Sequence, residues 1–234
     1  MFPVALLAGG LATRLRPITE TIPKALVAVA GEPFICRQLE YLAAQGIRRV
    51  VLCIGHLGEM IQAVVGDGSR FGVDVAYSPD GPLLLGTGGA LKQALPLLGE
   101  RFFVLYGDSF LPVDFCAVQQ AYLRRGKGAL MTILENRDRW DRSNVHFRDG
   151  TILEYNKPAP RPDMRHIDYG LGVLSRHALE SHPAGEIFDL AELYHCLSLQ
   201  GELGGYEAHE RFYEIGSLCG LQETEAYFSG RGEK

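Results

Sequence analysis

The 234-residue chain is 47% hydrophobic and 22% charged and carries 28 glycines, proportions that fit one ordinary globular domain and exclude disorder as its main character. Its net charge of −5 disfavours nucleic acid or an anionic membrane as partner, because both ask for a positive surface. No run approaches the roughly 18 apolar residues of a membrane-spanning helix, and the apolar opening at Phe2–Ala8 lacks a basic flank or cleavage site, so the chain reads as cytoplasmic.

Phe2–Ala8 is the first predicted strand. Pro33–Gln45 places Phe34, Ile35, Leu39, Leu42 and Ala43 on one face at helical spacing, opens on a proline and stops before Gly46. The strand Val50–Ile54, helix Glu59–Val65, strand Val73–Tyr77, helix Gly88–Leu98, strand Phe102–Tyr106 and helix Val113–Arg125 follow. This alternation of short apolar runs and helical patterns is the signature of βαβ units and a mostly parallel sheet. After Gly126 the texture changes. A strand at Ala129–Leu134 precedes Val145–Phe147 and Ile152–Tyr155, which flank the hairpin signal Asp149-Gly150. Residues 155–166, with Pro158, Pro160 and Pro162, form an irregular excursion. Strand Tyr169–Leu174, capped helix Asp189–Leu199, a short strand at Tyr206–Ala208 and a closing helix from Ser217 to Phe228 complete the chain.

Five cysteines (Cys36, Cys53, Cys116, Cys196 and Cys219) form no C-x-x-C pair, and the seven histidines have no metal spacing, so a disulfide framework and a zinc site are both disfavoured. The charge is unevenly spread. Arg14, Arg16, Glu20 and Lys24 give the first 24 residues a net of +2, whereas residues 178–234 hold eleven acids against three bases. A small basic patch on an acidic molecule suits a discrete anionic ligand. It follows the first strand directly, in Gly9-Gly10-Leu11-Ala12-Thr13-Arg14, where glycine N–H groups can converge on phosphate. The spacing is neither the dinucleotide G-x-G-x-x-G nor the P-loop, which argues against a dehydrogenase or a Walker-type ATPase.

LAGGLATRLRPIT with PKALVAVAG resembles the signature of the sugar-1-phosphate nucleotidyltransferases. PLLLGTGGAL at Pro82–Leu91, LYGDSF at Leu105–Phe110, EYNKP at Glu154–Pro158 and FYEIGS at Phe212–Ser217 agree in order, so the likeness spans residues 4 to about 228. In texture it is most similar to the short bacterial branch that includes heptose-1-phosphate guanylyltransferase and N-acetylmuramate-1-phosphate uridylyltransferase. The resemblance implies a Rossmann-like α/β fold, a mostly parallel mixed sheet flanked by helices with a small β-hairpin extension. It implies a single domain, with residues 1–125 mainly nucleotide-binding and 126–234 mainly sugar-phosphate-binding. The implied reaction is NTP + sugar 1-phosphate → NDP-sugar + pyrophosphate, and the short chain implies a monomer or homodimer.

By the same resemblance, Arg14 grips the β- and γ-phosphates, Lys24 lies between the α-phosphate and the sugar phosphate, and Lys157 pairs with the sugar phosphate. Leu6, Ala8, Gly9, Gly10, Thr13, Gly86 and Thr87 border the nucleotide. Asp108 emerges at the carboxyl end of a strand, where a hard carboxylate suits Mg²⁺. Glu214 supplies the second metal-binding acid where most relatives have aspartate, and its extra methylene is expected to shift the metal. Asn156 replaces the family glutamate before the lysine, which leaves the sugar's hydroxyl pattern open. Ile167–Val173 (IDYGLGV) is similar to the family's substrate-side strand, in which Tyr169 and Gly170 border the sugar, although a core role for Tyr169 is an equal reading. Asp80 can only accept hydrogen bonds, which favours guanine, with its N1–H and N2–H₂, over uracil or thymine. Asp80 also reads as an ordinary turn residue between Pro79 and Gly81. Two rivals stand beside this reading: a non-catalytic paralogue that binds an NDP-sugar, and a transferase for a non-sugar phosphate such as phosphocholine or a cyclitol phosphate.

Overall fold

The structure is a computed structural model that describes residues 1–230. Strand β1 (Val4–Leu7) leads through a long loop to the ribbon β2 (Ala28–Val29) and β3 (Glu32–Pro33), then helix α1 (Phe34–Ala44). Next come β4 (Arg49–Ile54) with α2 (Gly58–Val65), β5 (Asp74–Pro79) with α3 (Gly86–Ala94), and β6 (Arg101–Tyr106) with the two-residue β7 (Ser109–Phe110) and α4 (Phe115–Arg125). The second half comprises β8 (Ala129–Glu135), β9 (Val145–Arg148), β10 (Thr151–Tyr155), β11 (His166–Ser175), α5 (Leu190–Leu199), β12 (Leu203–Ala208), β13 (Tyr213–Glu214) and α6 (Leu218–Phe228). Among the described residues no helix is long and apolar enough to cross a membrane, and all five cysteines are free.

Nine strands make one mixed sheet in the order β5-β4-β1-β6-β11-β8-β12-β10-β9. β5, β4, β1 and β6 are parallel, whereas β11 runs antiparallel to both β6 and β8 and joins the two halves. The parallel strands read as unbroken apolar runs because both of their faces are covered. Val4 and Leu6 pack with Val50, Leu52, Phe103 and Leu105 under Ile35 and Leu39 of α1, Ile61 of α2 and Val118 of α4. Ala5, Val51, Cys53 and Val104 point the other way, onto Leu91 of α3 and Leu190 and Tyr194 of α5.

The predicted elements are present, with shifted ends. Asp149 and Gly150 take φ of 50° and 78°, the left-handed pair of the hairpin turn their dipeptide predicts. The helix predicted over Gly88–Leu98 starts at Gly86 and stops at Ala94, ahead of Pro96, whose ring lacks the N–H a further turn needs. The strand predicted from Tyr169 begins at His166, because Ile167 pairs with Leu134 of β8. The ribbons β2–β3 and β7–β13 carry no periodic signal in two residues each and were not predicted.

In the sheet β1 lies between β4 and β6, so the direction of winding reverses there, and ligands of open α/β sheets bind outside the carboxyl ends at such a point. The strand ends approach closely at that place. Gly107, just after β6, donates its N–H to the Leu7 carbonyl at 2.9 Å, and a Cβ on Gly107 would sit 2.6 Å from the same oxygen. Gly107→Ala is therefore expected to push β6 off β1 and to destabilise the protein by about 1–3 kcal/mol. Chemical denaturation would show this as a lower midpoint; a midpoint within error of the parent would refute the close approach.

Candidate active site

A cleft of about 330 Å³ opens at this rim. Its floor is a row of residues in register across three strands, Cys53 of β4, Leu7 of β1 and Tyr106 of β6. Burial pushes the Cys53 thiol up to about 12, so it is an inert part of that floor. Ala8, Gly9, Gly10 and Lys24 form one wall; Asp80, Leu84, Gly86, Thr87 and Ala90 form the other. A second cavity of about 420 Å³ adjoins the first and shares Tyr106, Asp108 and Lys157 with it. It is walled by Arg14, Trp140, Asn144, Tyr155, Asp168, Tyr169, Phe212, Glu214 and neighbours.

Where the cavities meet, the Lys24 ammonium lies 2.6 Å from Asp108 Oδ2. Burial works against the Asp108 charge, yet the adjacent ammonium and hydrogen bonds from Lys24 and Ser109 hold its carboxyl below the ordinary range. The backbone around Asp108 is fixed from two sides. The Gln38 amide of α1 donates to the carbonyls of Tyr106 (3.2 Å) and Ser109 (2.9 Å), and Ile215 N–H donates to the Asp108 carbonyl at 2.9 Å. The antiparallel ribbon β7–β13 sets Glu214 opposite Ser109, which brings the second acid to the first. A Cβ built on Gly216 would meet Glu214 Oε2 at 2.6 Å, Arg14 Nη2 at 3.1 Å and Asp108 Oδ2 at 3.3 Å, so three charged side chains converge above that glycine.

The extra methylene of Glu214 is taken up locally. Its carboxylate folds back onto the start of α6, accepting the Gly216 N–H and, at 2.6 Å, the Ser217 hydroxyl. Ser217 in turn caps α6 by accepting Gly220 N–H at 3.0 Å. Two carboxylates over one point are hard oxygen donors of the kind Mg²⁺ takes, with the remaining positions left to ligand oxygens. Among the described residues no group of three or more His, Cys, Asp or Glu side chains is set to hold a metal alone.

Among the predicted residues, Ala8, Gly9, Gly10, Lys24, Asp80, Gly86, Thr87, Asp108 and Lys157 line the first cleft, and Arg14, Asp108, Lys157, Tyr169, Gly170 and Glu214 line the second. Arg14 therefore stands beside the carboxylates, outside the first cleft. Leu6 does not reach the cleft: strand alternation turns it into the opposite core, and Leu7 takes the floor position. Thr13 is exposed on the loop and lines neither cavity. Asn156 also lines neither. Its Oδ1 accepts Ala159 N–H and its Nδ2 donates to Glu154, both at 3.0 Å, so it shapes the turn after β10. Asp80 Oδ2 accepts Leu85 N–H at 3.3 Å, and burial pushes its carboxyl up. Thr87 ties α3 to Asp189, the cap of α5. The glycines after Gly86 serve packing: a Cβ on Gly88 would lie 2.1 Å from the Phe188 ring.

The nucleotidyl transferase family model matches residues 4–142. The chain belongs to the nucleotidyl transferase family. It is 32% identical over 228 residues to N-acetylmuramate alpha-1-phosphate uridylyltransferase of Neisseria meningitidis, covering 94% of this chain and 96% of that protein. It is 30% identical over 188 residues to D-glycero-alpha-D-manno-heptose 1-phosphate guanylyltransferase of Campylobacter jejuni, covering 80% and 82%. The solved structure of HddC from Yersinia pseudotuberculosis complexed with GMP-PN superposes with a TM-score of 0.82 at 25% identity, covering 97% of this chain and all of that one.

One acid of this nucleotidyl transferase sits in the segment Ile167–Val173 but was given no role of its own from the sequence. Asp168, on β11, lines the second cavity. Its Oδ1 accepts Gly170 N–H at 2.9 Å, and its own N–H donates to Asn144 Oδ1 at 3.1 Å. Burial pushes its carboxyl up to about 6, against the opposing effects of the Gly170 N–H and the Lys157 charge. The signal for it was its place beside Tyr169 and Gly170, in the segment similar to the family's substrate-side strand. The folded state binds this proton more tightly than the unfolded chain, so between about pH 4 and 6 the stability contributed by Asp168 falls as pH rises. Asp168→Asn removes the titration and keeps an acceptor for Gly170. It is expected to raise the melting temperature by a few degrees at about pH 7.5 and by less at about pH 4.5; equal offsets at both would contradict the raised pKa.

Proposed function

We propose that this chain couples a nucleoside triphosphate to a sugar 1-phosphate, forming an NDP-sugar and releasing pyrophosphate. The observation that carries this reading is the junction of two cavities at Lys24, Asp108 and Lys157. Residues 1–125 supply most of the nucleotide cleft and residues 126–234 most of the acceptor cavity. Relatives bearing both uridylyltransferase and guanylyltransferase names act, by those names, on sugar 1-phosphates.

The reaction brings a phosphate anion to the α-phosphorus of a polyanion, so neutralising and aligning charge lowers the barrier most. Gly9 and Gly10 offer backbone N–H groups to the triphosphate. Lys24, held in place by Asp108, faces the α-phosphate, and Lys157, which borders both cavities, faces the incoming sugar phosphate. Arg14 meets the β- and γ-phosphates and stabilises the departing pyrophosphate. Asp108 and Glu214 would hold a divalent cation, Mg²⁺ in our reading, which when bound neutralises triphosphate charge. Asp80 lies in the cleft opposite Gly9 and can only accept, which favours GTP.

Purified protein with Mg²⁺, the four ribonucleoside triphosphates and a panel of sugar 1-phosphates is expected to release pyrophosphate fastest with GTP; no release with any pair would sink the proposal. Phosphocholine belongs in the panel, because Trp140, Tyr155 and Phe212 of the second cavity suit a quaternary ammonium. Asp108→Asn should lower kcat by about a thousandfold, since it weakens both the cation site and the hold on Lys24. Asp80→Asn should reduce the GTP to UTP ratio of kcat/KM by about tenfold. An unchanged ratio would remove Asp80 from base selection.

A further inference from the structure

Within the reading just given, and resting on it, we infer that His195 and Ser198 of α5 are positioning residues: by gripping the Tyr155 main chain they set where Lys157 meets the acceptor phosphate. Lys157 needs such help. Its side chain is exposed and, among the described residues, has no hydrogen bond or ion pair of its own. The place of Lys157 on the border of both cavities therefore follows from the backbone two residues back, where β10 ends.

The end of β10 is held mainly by side chains on one of its edges. β12 pairs with β10 only at Thr151, while on the opposite edge the chain follows β9, and Asn156 N–H donates to the Asn144 carbonyl at 2.9 Å. The Tyr155 main-chain groups turn to α5. Tyr155 N–H donates to Ser198 Oγ at 3.0 Å, and His195 Nδ1 donates to the Tyr155 carbonyl at 2.6 Å. A carbonyl can only accept, so this contact keeps the proton on Nδ1. Ser198 is equally committed, because its own hydroxyl proton goes to the His195 carbonyl at 2.7 Å. Three positions apart on one face of the helix, the two side chains occupy the edge where a neighbouring strand would pair.

The start of the same helix is seated against the nucleotide cleft. Asp189 caps α5 by accepting Ala191 N–H at 2.8 Å and also accepts the Thr87 hydroxyl at 3.0 Å, while Thr87 Oγ1 accepts Leu190 N–H at 2.8 Å. Thr87 lines that cleft. A helix that lines neither cavity is thus tied to the nucleotide wall at one end and to the Lys157 turn near the other. Such a tie bears on rate, since misplacing a reacting group by about 1 Å can cost about a hundredfold. Buried peptide groups need partners in any fold, so the discriminating question is whether the contacts act through Lys157.

The test compares variants on the acceptor with the highest kcat/KM in the panel. His195→Leu, which keeps the bulk and removes the donor, should raise KM for that acceptor at least about tenfold and leave KM for the triphosphate within about twofold. His195→Asn, whose amide can donate from nearly the place of Nδ1, should return the acceptor KM to within about threefold of the parent. Ser198→Ala should give the same split through the second contact, and it stands in should the leucine variant fail to fold. Because the effect runs through Lys157, adding His195→Leu or Ser198→Ala to Lys157→Met should change the acceptor KM by no more than about twofold. An acceptor KM unchanged in both single variants, no rescue by asparagine, or a penalty as large in the Lys157→Met background as in the parent overturns the assignment while the transferase reading stands. A parent protein that turns over no acceptor overturns both.

Discussion

Lys24 and Asp108 are 84 positions apart in sequence and 2.6 Å apart in space, and most of the molecule can be read as what that contact requires. Asp108 must leave β6 at the height where the loop after β1 returns, so the two strand ends have to touch. Gly107 permits the touch. Gln38 then fixes the carbonyls on either side from beneath, and Ile215 fixes the Asp108 carbonyl from the side of α6. The ion pair itself is partly solvated and adds little to stability. Its value lies in position, since it holds a mobile ammonium at the junction of the two cavities before any substrate arrives.

The parallel half of the sheet was legible because burial on both faces leaves continuous apolar runs, and the hairpin because Asp149-Gly150 is a turn with few alternatives. Charged residues in ordered motifs were legible for a similar reason: Lys24, Asp108, Lys157 and Glu214 each sit beside a glycine, proline or strand end that limits where they can point. Leu6 was misplaced by a single step of alternation, which a motif does not reveal but a register does. Asn156 was misplaced because an amide after a strand can equally cap a turn. Asp168 was given no role although its segment Ile167–Val173 was matched, as its approach to the cavity follows from a break in register that only pairing with β6 and β8 creates.

Stability and chemistry pull apart at the second cavity. Where the two cavities meet, charges are compensated locally, Lys24 with Asp108 and Glu214 with the start of α6. Deeper in the second cavity this is not so: Asp168 is held by one backbone N–H and a more distant lysine. A chain selected for stability alone would place an amide or an apolar residue there.

β11 belongs to both halves of the sheet, hydrogen-bonded to β6 on one edge and to β8 on the other. In the proposed reading the two substrates lie on either side of one continuous β-structure, so that strand spacing, and not the closing of a hinge between lobes, sets their separation. On that reading, the loop beyond β5, which walls the first cleft, would tune the base, and those around β9 and β10, which wall the second cavity, would tune the sugar, each without moving the reacting phosphates. Such an arrangement lets one scaffold diversify its two specificities independently.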